Sequence, residues 1–307
     1  MIITMPETTA GAVAKRLIKI REEGGAVALG RVLTLVIVAD ESDVEESVDA
    51  ANDASREHPC RILVIAPAKG SVTNRLDAEI RVGGDAGASE VIVLRPSPVL
   101  AEHPDTLIMA LLLPDAPIVA WWPSEFPASP STDLIGQMAK IRITDSMRCA
   151  DPLEALKTLR SNHRPGDIDL AWTRVTVWRG LLAAALDQPP YESVTEAVVA
   201  GDLAHPSVDL LAAWIAQRLK CTVSIERNHA ANAITKVVLR RKSGDIALVR
   251  PDGRIATLSQ PGQPDHRIAL PVRELRECLS EELRRLDPDE VYGEVLAKGL
   301  ARVEASQ

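Results

Sequence analysis

Aromatic residues are scarce in this sequence of 307 residues, which has one Phe, two Tyr and five Trp. Hydrophobic residues still make up 46% of the chain and charged residues 25%, as in an ordinary folded protein. The core must therefore be built mainly from Ala, Val, Leu and Ile. A chain of this length can form one large domain or two.

Long apolar runs are also missing. No stretch approaches the roughly 18 apolar residues that a membrane-spanning helix requires, and the N-terminal M-I-I-T-M-P-E-T-T lacks the basic start and apolar middle of a signal peptide. These absences predict a cytoplasmic protein with no membrane partner. The net charge of −8 argues against a nucleic-acid partner, because Lys and Arg supply most of the affinity for a polyanion.

Clustered metal ligands are absent as well. The six histidines are scattered and the four cysteines form no C-x-x-C pair, whereas zinc requires ligands brought close together. We therefore predict no metal site and reduced thiols. A redox switch through Cys278 or another thiol is an alternative hypothesis.

The sequence contains none of the common catalytic motifs. Gly24-Gly25-x4-Gly30 precedes the first predicted strand, whereas a dinucleotide fingerprint follows its strand. The segment R-V-G-G-D-A-G at 81–87 could offer backbone amides to a phosphate, although a hairpin turn is the favoured interpretation. There is no G-x4-G-K-[ST] loop and no G-x-S-x-G elbow. We predict neither a cofactor nor a catalytic residue.

The most informative stretch is P-I-V-A-W-W-P at 117–123. A short apolar run between two prolines is typical of a strand buried on both faces of a parallel sheet. In open α/β sheets, ligands or partners bind at the carboxyl ends of the strands. Trp121, Trp122 and Pro123 are thus candidates for an exposed strand end. The alternative is that the tryptophans belong to the core, which requires both faces of the sheet to be covered.

The first half of the chain alternates strand and helix patterns. A strand at 31–38, a helix at 42–55 and a strand at 61–66 form one βαβ unit. Runs at 76–82 and 90–94 suggest an antiparallel insertion or edge hairpin. Further elements are a helix at 97–113 interrupted by Pro104 and strands at 117–122 and 140–144. These patterns predict a Rossmann-like, mostly parallel sheet in a domain spanning 1–165.

The second half has a different pattern. It opens with an apolar stripe that predicts one long helix over 168–186. Then follow a strand at 194–199, a helix at 207–220, four β-type runs between 222 and 259, and two final helices. We predict an α+β domain with an antiparallel meander over 166–307, after a boundary at 163–167.

Charged residues stand at several of these predicted ends. Arg142 and Asp145 end the last strand of the first domain, where they could line the same crevice as Trp122 or form a structural pair. Arg174 and Arg179 lie on the predicted long helix, beside Trp178. Arg and Trp are the residue types that dominate the energetic centres of protein interfaces.

A basic stretch lies in the predicted meander. It contains five basic residues: Lys236, Arg240, Arg241, Lys242 and Arg250. The favoured interpretation is a solvated face and rim of the sheet. The alternative is a patch for an anionic ligand or an acidic partner surface.

Several of these segments together resemble one known family. They are R-V-L-T-L-V-I at 31–37, P-I-V-A-W-W-P at 117–123, R-I-T-D at 142–145, D-L-A-W-T-R at 169–174, W-R at 178–179, D-Q-P-P at 187–190 and R-R-L-D-P-D-E-V-Y at 284–292. The chain resembles the OpcA family of glucose-6-phosphate dehydrogenase assembly proteins. The resemblance implies a non-catalytic subunit that binds that dehydrogenase and promotes its active oligomer in the oxidative pentose-phosphate pathway.

Two functional hypotheses therefore stand. The first is this assembly or activator subunit. The second is a nucleotide or sugar-phosphate sensor, or an undetected enzyme, that uses the crevice at the strand ends of the N-terminal domain. For either one, the candidate interface or crevice residues are Trp121, Trp122, Pro123, Arg142, Asp145, Arg174 and Arg179. No small effector is identified.

Overall fold

The computed structural model describes residues 1–23, 32–68, 70, 74–83, 90–229 and 233–304. They form two compact units that interleave along the chain. The first unit contains Met1–Asp145, Gly166–Ile168 and Leu275–Pro288, and the second contains the other described residues. The domain boundary predicted near residue 165 stays a prediction. No helix within the described ranges is both long enough and apolar enough to cross a membrane.

The regular elements have the following bounds. The strands are β1 (Ile2–Met5), β2 (Leu33–Val38), β3 (Cys60–Ile65), β4 (Leu76–Arg81), β5 (Glu90–Pro96), β6 (Ile118–Trp122), β7 (Ile141–Thr144), β8 (Asp167–Asp169), β9 (Glu196–Asp202), β10 (Thr222–Asn228), β11 (Ile234–Arg240), β12 (Ile246–Val249), β13 (Ile255–Ser259) and β14 (His266–Ala269). The helices are α1 (Ala10–Glu23), α2 (Val44–Ser55), α3 (Pro98–Ala101), α4 (Pro104–Met109), α5 (Leu134–Met138), α6 (Pro152–Asn162), α7 (Leu170–Thr173), α8 (Thr176–Leu186), α9 (Pro206–Leu219), α10 (Leu275–Arg284), α11 (Glu290–Glu294) and α12 (Leu300–Glu304). A π-helical segment, Val295–Gly299, joins α11 to α12.

The first sheet has eight strands in the order β1-β4-β5-β3-β2-β6-β7-β8. The pairs β5–β3, β3–β2, β2–β6 and β6–β7 are all parallel. When these five parallel strands are renumbered 1 to 5 along the chain, their order in the sheet is 3-2-1-4-5. The Rossmann order, 3-2-1-4-5-6, begins in the same way. The predicted Rossmann-like, mostly parallel sheet is confirmed.

The central strands are apolar because both faces of this sheet are buried. β3 is buried at every position, and β2 at every position but its last. One face packs in a cluster that includes Val13 and Leu17 of α1, Ile108 of α4 and Ile135 of α5. Side chains of neighbouring strand residues point to opposite faces, so the other face needs its own cover.

Two antiparallel strands, β4 and β1, extend one edge of this sheet. β4 pairs antiparallel with β5, as predicted, and β5 also pairs parallel with β3. β1 pairs antiparallel with β4 in the register Ile2↔Arg81 to Met5↔Ala78. The sequence did not suggest β1, since a four-residue edge strand owes its order to a partner more than seventy residues away.

A late segment of the chain completes the first unit. α10 packs against α2 and buries Cys278, Leu279 and Leu283. Ion pairs at the rim join Arg276 to Asp53 at 3.5 Å and Arg284 to Glu57 at 3.2 Å. These pairs are exposed, so the apolar side chains provide most of the stabilisation.

The second sheet has the order β10-β9-β11-β12-β13-β14. β10 pairs parallel with β9, and the remaining neighbours are antiparallel. The predicted α+β arrangement with an antiparallel meander is confirmed. Its last strand, β14, was not predicted, because H-R-I-A follows a Pro- and Gly-containing turn and stays largely exposed.

The predicted single helix over 168–186 is wrong. The segment forms β8, then the short α7, then α8. Asp169 begins α7 as its N-cap, with its carboxylate accepting a hydrogen bond from Ala171 N at 2.9 Å. Apolar spacing cannot reveal this break, because both helices bury the same stripe.

Two helical glycines of the second unit should respond oppositely to substitution by alanine. A Cβ on Gly299 would lie 2.6 Å from Ala213 O of α9, whereas a Cβ on Gly180 would have nothing within 4 Å. We expect Gly299→Ala to lower the free energy of unfolding by roughly 1–3 kcal/mol through overpacking. Gly180→Ala, the matched control, should raise it by up to about 1 kcal/mol. Denaturant unfolding measures both, and equal effects would contradict the close packing of the π-helical segment on α9.

Candidate functional site

The W-W-P exit of β6 is buried. Trp121 is 0% exposed and Trp122 3% exposed, and Pro123 is also buried. Trp122 packs in the same cluster as α1 and α5, so Trp121 points to the opposite face. The alternative stated from the sequence, that the tryptophans belong to the core, holds for both, because each face of the sheet is covered, and the proline is not exposed either. Their predicted role at an interface or crevice is untested.

Arg142 and Asp145 occupy buried positions at the next strand end. Arg142 lies on β7 opposite Ala120 of β6 and donates a hydrogen bond to the carboxylate of Asp167. It also donates to Ala139 O at 3.0 Å. Asp145 directly follows β7 and is 0% exposed. The guanidinium therefore meets Asp167 of β8 in a buried ion pair, and Asp167 is a partner that the sequence did not suggest.

Two motif segments that lie far apart in sequence meet in the second unit. Trp172 of D-L-A-W-T-R donates from Nε1 to the carboxylate of Asp289 at 2.8 Å. The same carboxylate accepts from Tyr292 N at 2.9 Å and so caps α11. The rings of Trp172 and Tyr292 lie 5.8 Å apart. Asp289 therefore both starts a helix and orients a tryptophan.

Arg179 completes this aromatic cluster. Its guanidinium carbon lies 3.7 Å from the centre of the Trp172 ring, in a cation–π arrangement. The sequence placed Arg174 and Arg179 beside Trp178 instead. The break between α7 and α8 changes the direction in which these side chains point. The cation over the ring of Trp178 is instead Arg250, whose guanidinium carbon lies 5.0 Å from the ring centre.

A cleft opens in the second unit next to these motifs. Its empty volume, including the open mouth, is about 260 Å³. Arg174 ends the motif segment D-L-A-W-T-R and Trp178 begins the motif segment W-R, so both of these segments contribute to the lining. His205, Ser207, Arg250 and Arg273 are among the other lining residues.

Two cationic or titratable side chains of the cleft are almost fully buried. Arg250 is 3% exposed, and it donates to Leu270 O at 3.0 Å and to Ile234 O at 2.7 Å. His205 is 5% exposed and precedes α9. Neither Arg250 Nε nor His205 Nδ1 has a hydrogen-bond partner among the described residues. Both nitrogens are therefore buried donors or acceptors that the fold leaves unsatisfied.

Burial sets the protonation of these groups. Burial, together with the positive charges of Arg174 and Arg250, lowers the pKa of His205 to about 4, against the opposing carboxylate of Asp202. Burial also lowers the pKa of Arg250 from its ordinary value. Near neutral pH the cleft thus holds a neutral imidazole beside arginine cations.

Sequence reasoning located only part of this site. Arg174 was predicted, but His205 and Arg273 were not. Arg250 and Arg241 were assigned to a solvated rim, and this is wrong for both: they are 3% and 8% exposed. The one available signal was that Arg250 directly follows a β-type run, at a position where the chain turns back over the sheet.

The cysteines and the possible metal ligands are dispersed over the described residues. Within the ranges that the structure describes, no three His, Cys, Asp or Glu side chains are grouped to hold a metal ion. Cys60 and Cys278 are buried, and Cys149 and Cys221 are half-buried. Burial raises the pKa of Cys221, which disfavours its reactive thiolate.

Two family models match most of the chain. The model described as the glucose-6-phosphate dehydrogenase subunit N-terminal domain matches residues 51–161. The model described as the C-terminal domain of the same subunit matches residues 165–296. This chain belongs to the OpcA family. The family resemblance inferred from the motif segments is confirmed.

Two curated relatives carry the OpcA name. An OxPP cycle protein OpcA from Synechococcus elongatus is 28% identical over a region covering 55% of this chain and 41% of the relative. One from Nostoc punctiforme is 25% identical, covering 61% of this chain and 44% of the relative. The chain therefore matches less than half the length of these OpcA relatives.

Solved structures of other families are only distantly similar. A myo-inositol dehydrogenase from Lactobacillus casei, in complex with NAD(H) and myo-inositol, has 10% identity and a TM-score of 0.43, covering 90% of this chain and 94% of that one. A WlbA dehydrogenase, in complex with NADH and UDP-GlcNAcA, has 10% identity and a TM-score of 0.37, covering 91% and 94%. Likeness at this level does not bear on the function of this OpcA-family chain.

The buried Arg142–Asp167 pair should be important for stability. Asp167→Asn removes the charge that balances a buried guanidinium, so we expect the free energy of unfolding to fall by roughly 3 kcal/mol. Asp287→Asn is the matched control, since Asp287 is exposed and lies 3.9 Å from Lys140. It should change stability by less than about 0.5 kcal/mol. Similar losses in both variants, measured by urea unfolding, would argue against a buried ion pair.

His205 should make stability depend on pH. Its pKa is about 4 in the folded chain against an ordinary 6.5, so between these values the unfolded chain binds more protons. The free energy of unfolding should therefore fall as pH decreases from 6.5 to 4, by on the order of 3 kcal/mol from this residue. Relative to the parent, His205→Gln should flatten this window, while the exposed His266→Gln should not. Matching pH profiles for all three proteins would overturn the assignment.

Proposed function

We propose that this chain is a non-catalytic subunit that binds glucose-6-phosphate dehydrogenase and promotes its active oligomer in the oxidative pentose-phosphate pathway. The observation that carries the proposal is the pair of adjacent matches to the N- and C-terminal domains of a glucose-6-phosphate dehydrogenase subunit. The names of the two curated relatives point to the same pathway.

The geometry of the motif segments supports a binding role. Trp172, Asp289, Tyr292 and Arg179 cap a helix, stack and hydrogen-bond with one another. Such contacts hold a surface in one shape, and a preorganised surface loses less entropy on binding a partner.

The segment Asp187–Tyr191 is the docking surface we infer in the second unit. All five of its residues are exposed, and Tyr191 is 79% exposed. Two prolines limit the conformations of this segment, and tyrosine is a frequent energetic centre of interfaces. Of the seven residues proposed from sequence, Arg174 and Arg179 are half-buried and could touch a partner directly. The other five are buried and could act only by supporting the fold.

Activation would follow from differential affinity. A subunit can shift the dehydrogenase only by binding its active conformation or oligomer more tightly than the alternatives. The competing hypothesis of a sensor or enzyme at the strand ends of the first unit gains no support from Trp122, Arg142 and Asp145, since all three are buried.

The test is a mixing experiment with the cognate dehydrogenase. We expect the two proteins to co-elute at micromolar concentration, with a change in oligomer mass by light scattering and in the apparent KM for glucose 6-phosphate. Turnover of glucose 6-phosphate or NADP by the chain alone would contradict a non-catalytic role. Unchanged mass and unchanged kinetics would contradict the association.

Tyr191→Ala locates the docking surface. We expect it to weaken the association by roughly thirtyfold, which corresponds to about 2 kcal/mol, while stability changes by less than about 0.5 kcal/mol. Met109→Ala, at a side chain of the first unit that is 60% exposed, is the matched control and should bind like the parent. If Tyr191→Ala also binds like the parent, the docking surface lies elsewhere.

A further inference from the structure

Buried arginines of the first unit meet carboxylates, and Arg250 of the second unit does not. Arg61 is 5% exposed and lies 2.8 Å from the carboxylate of Glu90, and Arg142 pairs with Asp167. Arg250 is 3% exposed, and its described contacts are two backbone carbonyls and the ring of Trp178. A buried charge is costly unless an opposite charge balances it. Among the described residues, no carboxylate lies in direct contact with the guanidinium of Arg250.

The other lining residues make the cleft basic. Arg174 and Arg273 stand with Arg250 around the cleft, and no acidic residue is among its described lining residues. Ser207 lies in the first turn of the 14-residue helix α9, and its hydroxyl fixes the helix start by donating to Ala171 O at 2.7 Å. Backbone amides at the start of a helix carry partial positive charge and favour anions.

Unsatisfied nitrogens mark where a ligand could bind. His205 Nδ1 and Arg250 Nε are buried, lie on lining residues, and lack partners among the described residues. An oxyanion supplies several acceptors, which a buried guanidinium can use in bidentate geometry. A protonated imidazole could donate to the same group.

We propose that this cleft binds a phosphate group, either free or as the monoester of a small metabolite. A phosphate group has more acceptor oxygens than a carboxylate, and so it can accept from both Arg250 Nε and His205. The volume of about 260 Å³ includes the open mouth, so the enclosed space is smaller still and cannot enclose a dinucleotide. The site belongs to the second unit, whereas the strand-end crevice predicted from sequence belongs to the first, and the proposal does not rest on the association with a dehydrogenase.

The test is calorimetric titration of the full chain alone at constant ionic strength, kept constant with chloride so that screening does not change. The probes are inorganic phosphate, sulfate, acetate and glucose 6-phosphate. We expect saturable binding of phosphate and sulfate in the millimolar range or tighter, and weaker binding of acetate. Tighter binding of glucose 6-phosphate than of phosphate would identify a monoester as the ligand, whereas equal or weaker binding would identify free phosphate.

Matched variants separate the cleft from general electrostatic attraction. Arg250→Gln and Arg273→Gln should each weaken sulfate binding by roughly tenfold or more, the loss of one charge-assisted contact. Arg240→Gln removes a charge from the exposed rim of the same unit and should bind within twofold of the parent. Should Arg250→Gln fail to unfold cooperatively, the half-buried Arg273→Gln decides the question.

The imidazole provides a second readout. A bound dianion should raise the pKa of His205, measured by NMR. It would act against Arg174 and Arg250, which disfavour protonation of the imidazole, and together with Asp202, which favours it. Sulfate affinity should then increase as pH falls below 6, and sulfate itself does not titrate in this range. Absence of saturable binding, equal losses in Arg240→Gln and Arg273→Gln, an acetate affinity equal to that of sulfate, or an unchanged His205 titration would overturn the proposal.

Discussion

The first unit depends on one constraint, which is that both faces of its parallel sheet must be shielded from solvent. Its central strands are buried along nearly their whole length, so neither face can be left to solvent. This explains why Trp121 and Trp122, which point to opposite faces, are both core residues. It also explains why the chain brings α10 back from beyond residue 270 to pack against α2.

The second unit depends in a similar way on one carboxylate. Asp289 accepts hydrogen bonds from Trp172 Nε1 and from Tyr292 N, and so it joins α7 to the final helices. The guanidinium of Arg179 stacks on the ring of Trp172. These contacts explain why an aspartate, a tryptophan and an arginine stand at these positions of the motif segments.

The strand ends of the first unit and the cleft of the second unit differ in how their buried charges are balanced. In the first unit, Arg142 is neutralised by Asp167, and the polar groups near W-W-P form structural contacts, including the 2.6 Å hydrogen bond from Ser124 to Asp43. In the second unit, Arg250 Nε and His205 Nδ1 have no hydrogen-bond partner within the described part of the chain and lie beside further arginines. A folded protein tolerates such a site when other packing offsets its cost, and function is a common reason for retaining it.

The sequence by itself determined the class of fold and the family. Apolar runs such as β2, β3 and β6 can satisfy their backbone groups and bury their side chains only in a covered parallel sheet, and the motif segments W-W-P and L-D-P-D-E-V-Y identify the OpcA family. Tertiary structure alone decided which charges are buried. Arg250 reads as a rim residue in the sequence, yet the fold buries it in the cleft. Local patterns record spacing along the chain, whereas burial and charge balance depend on residues brought together from distant positions.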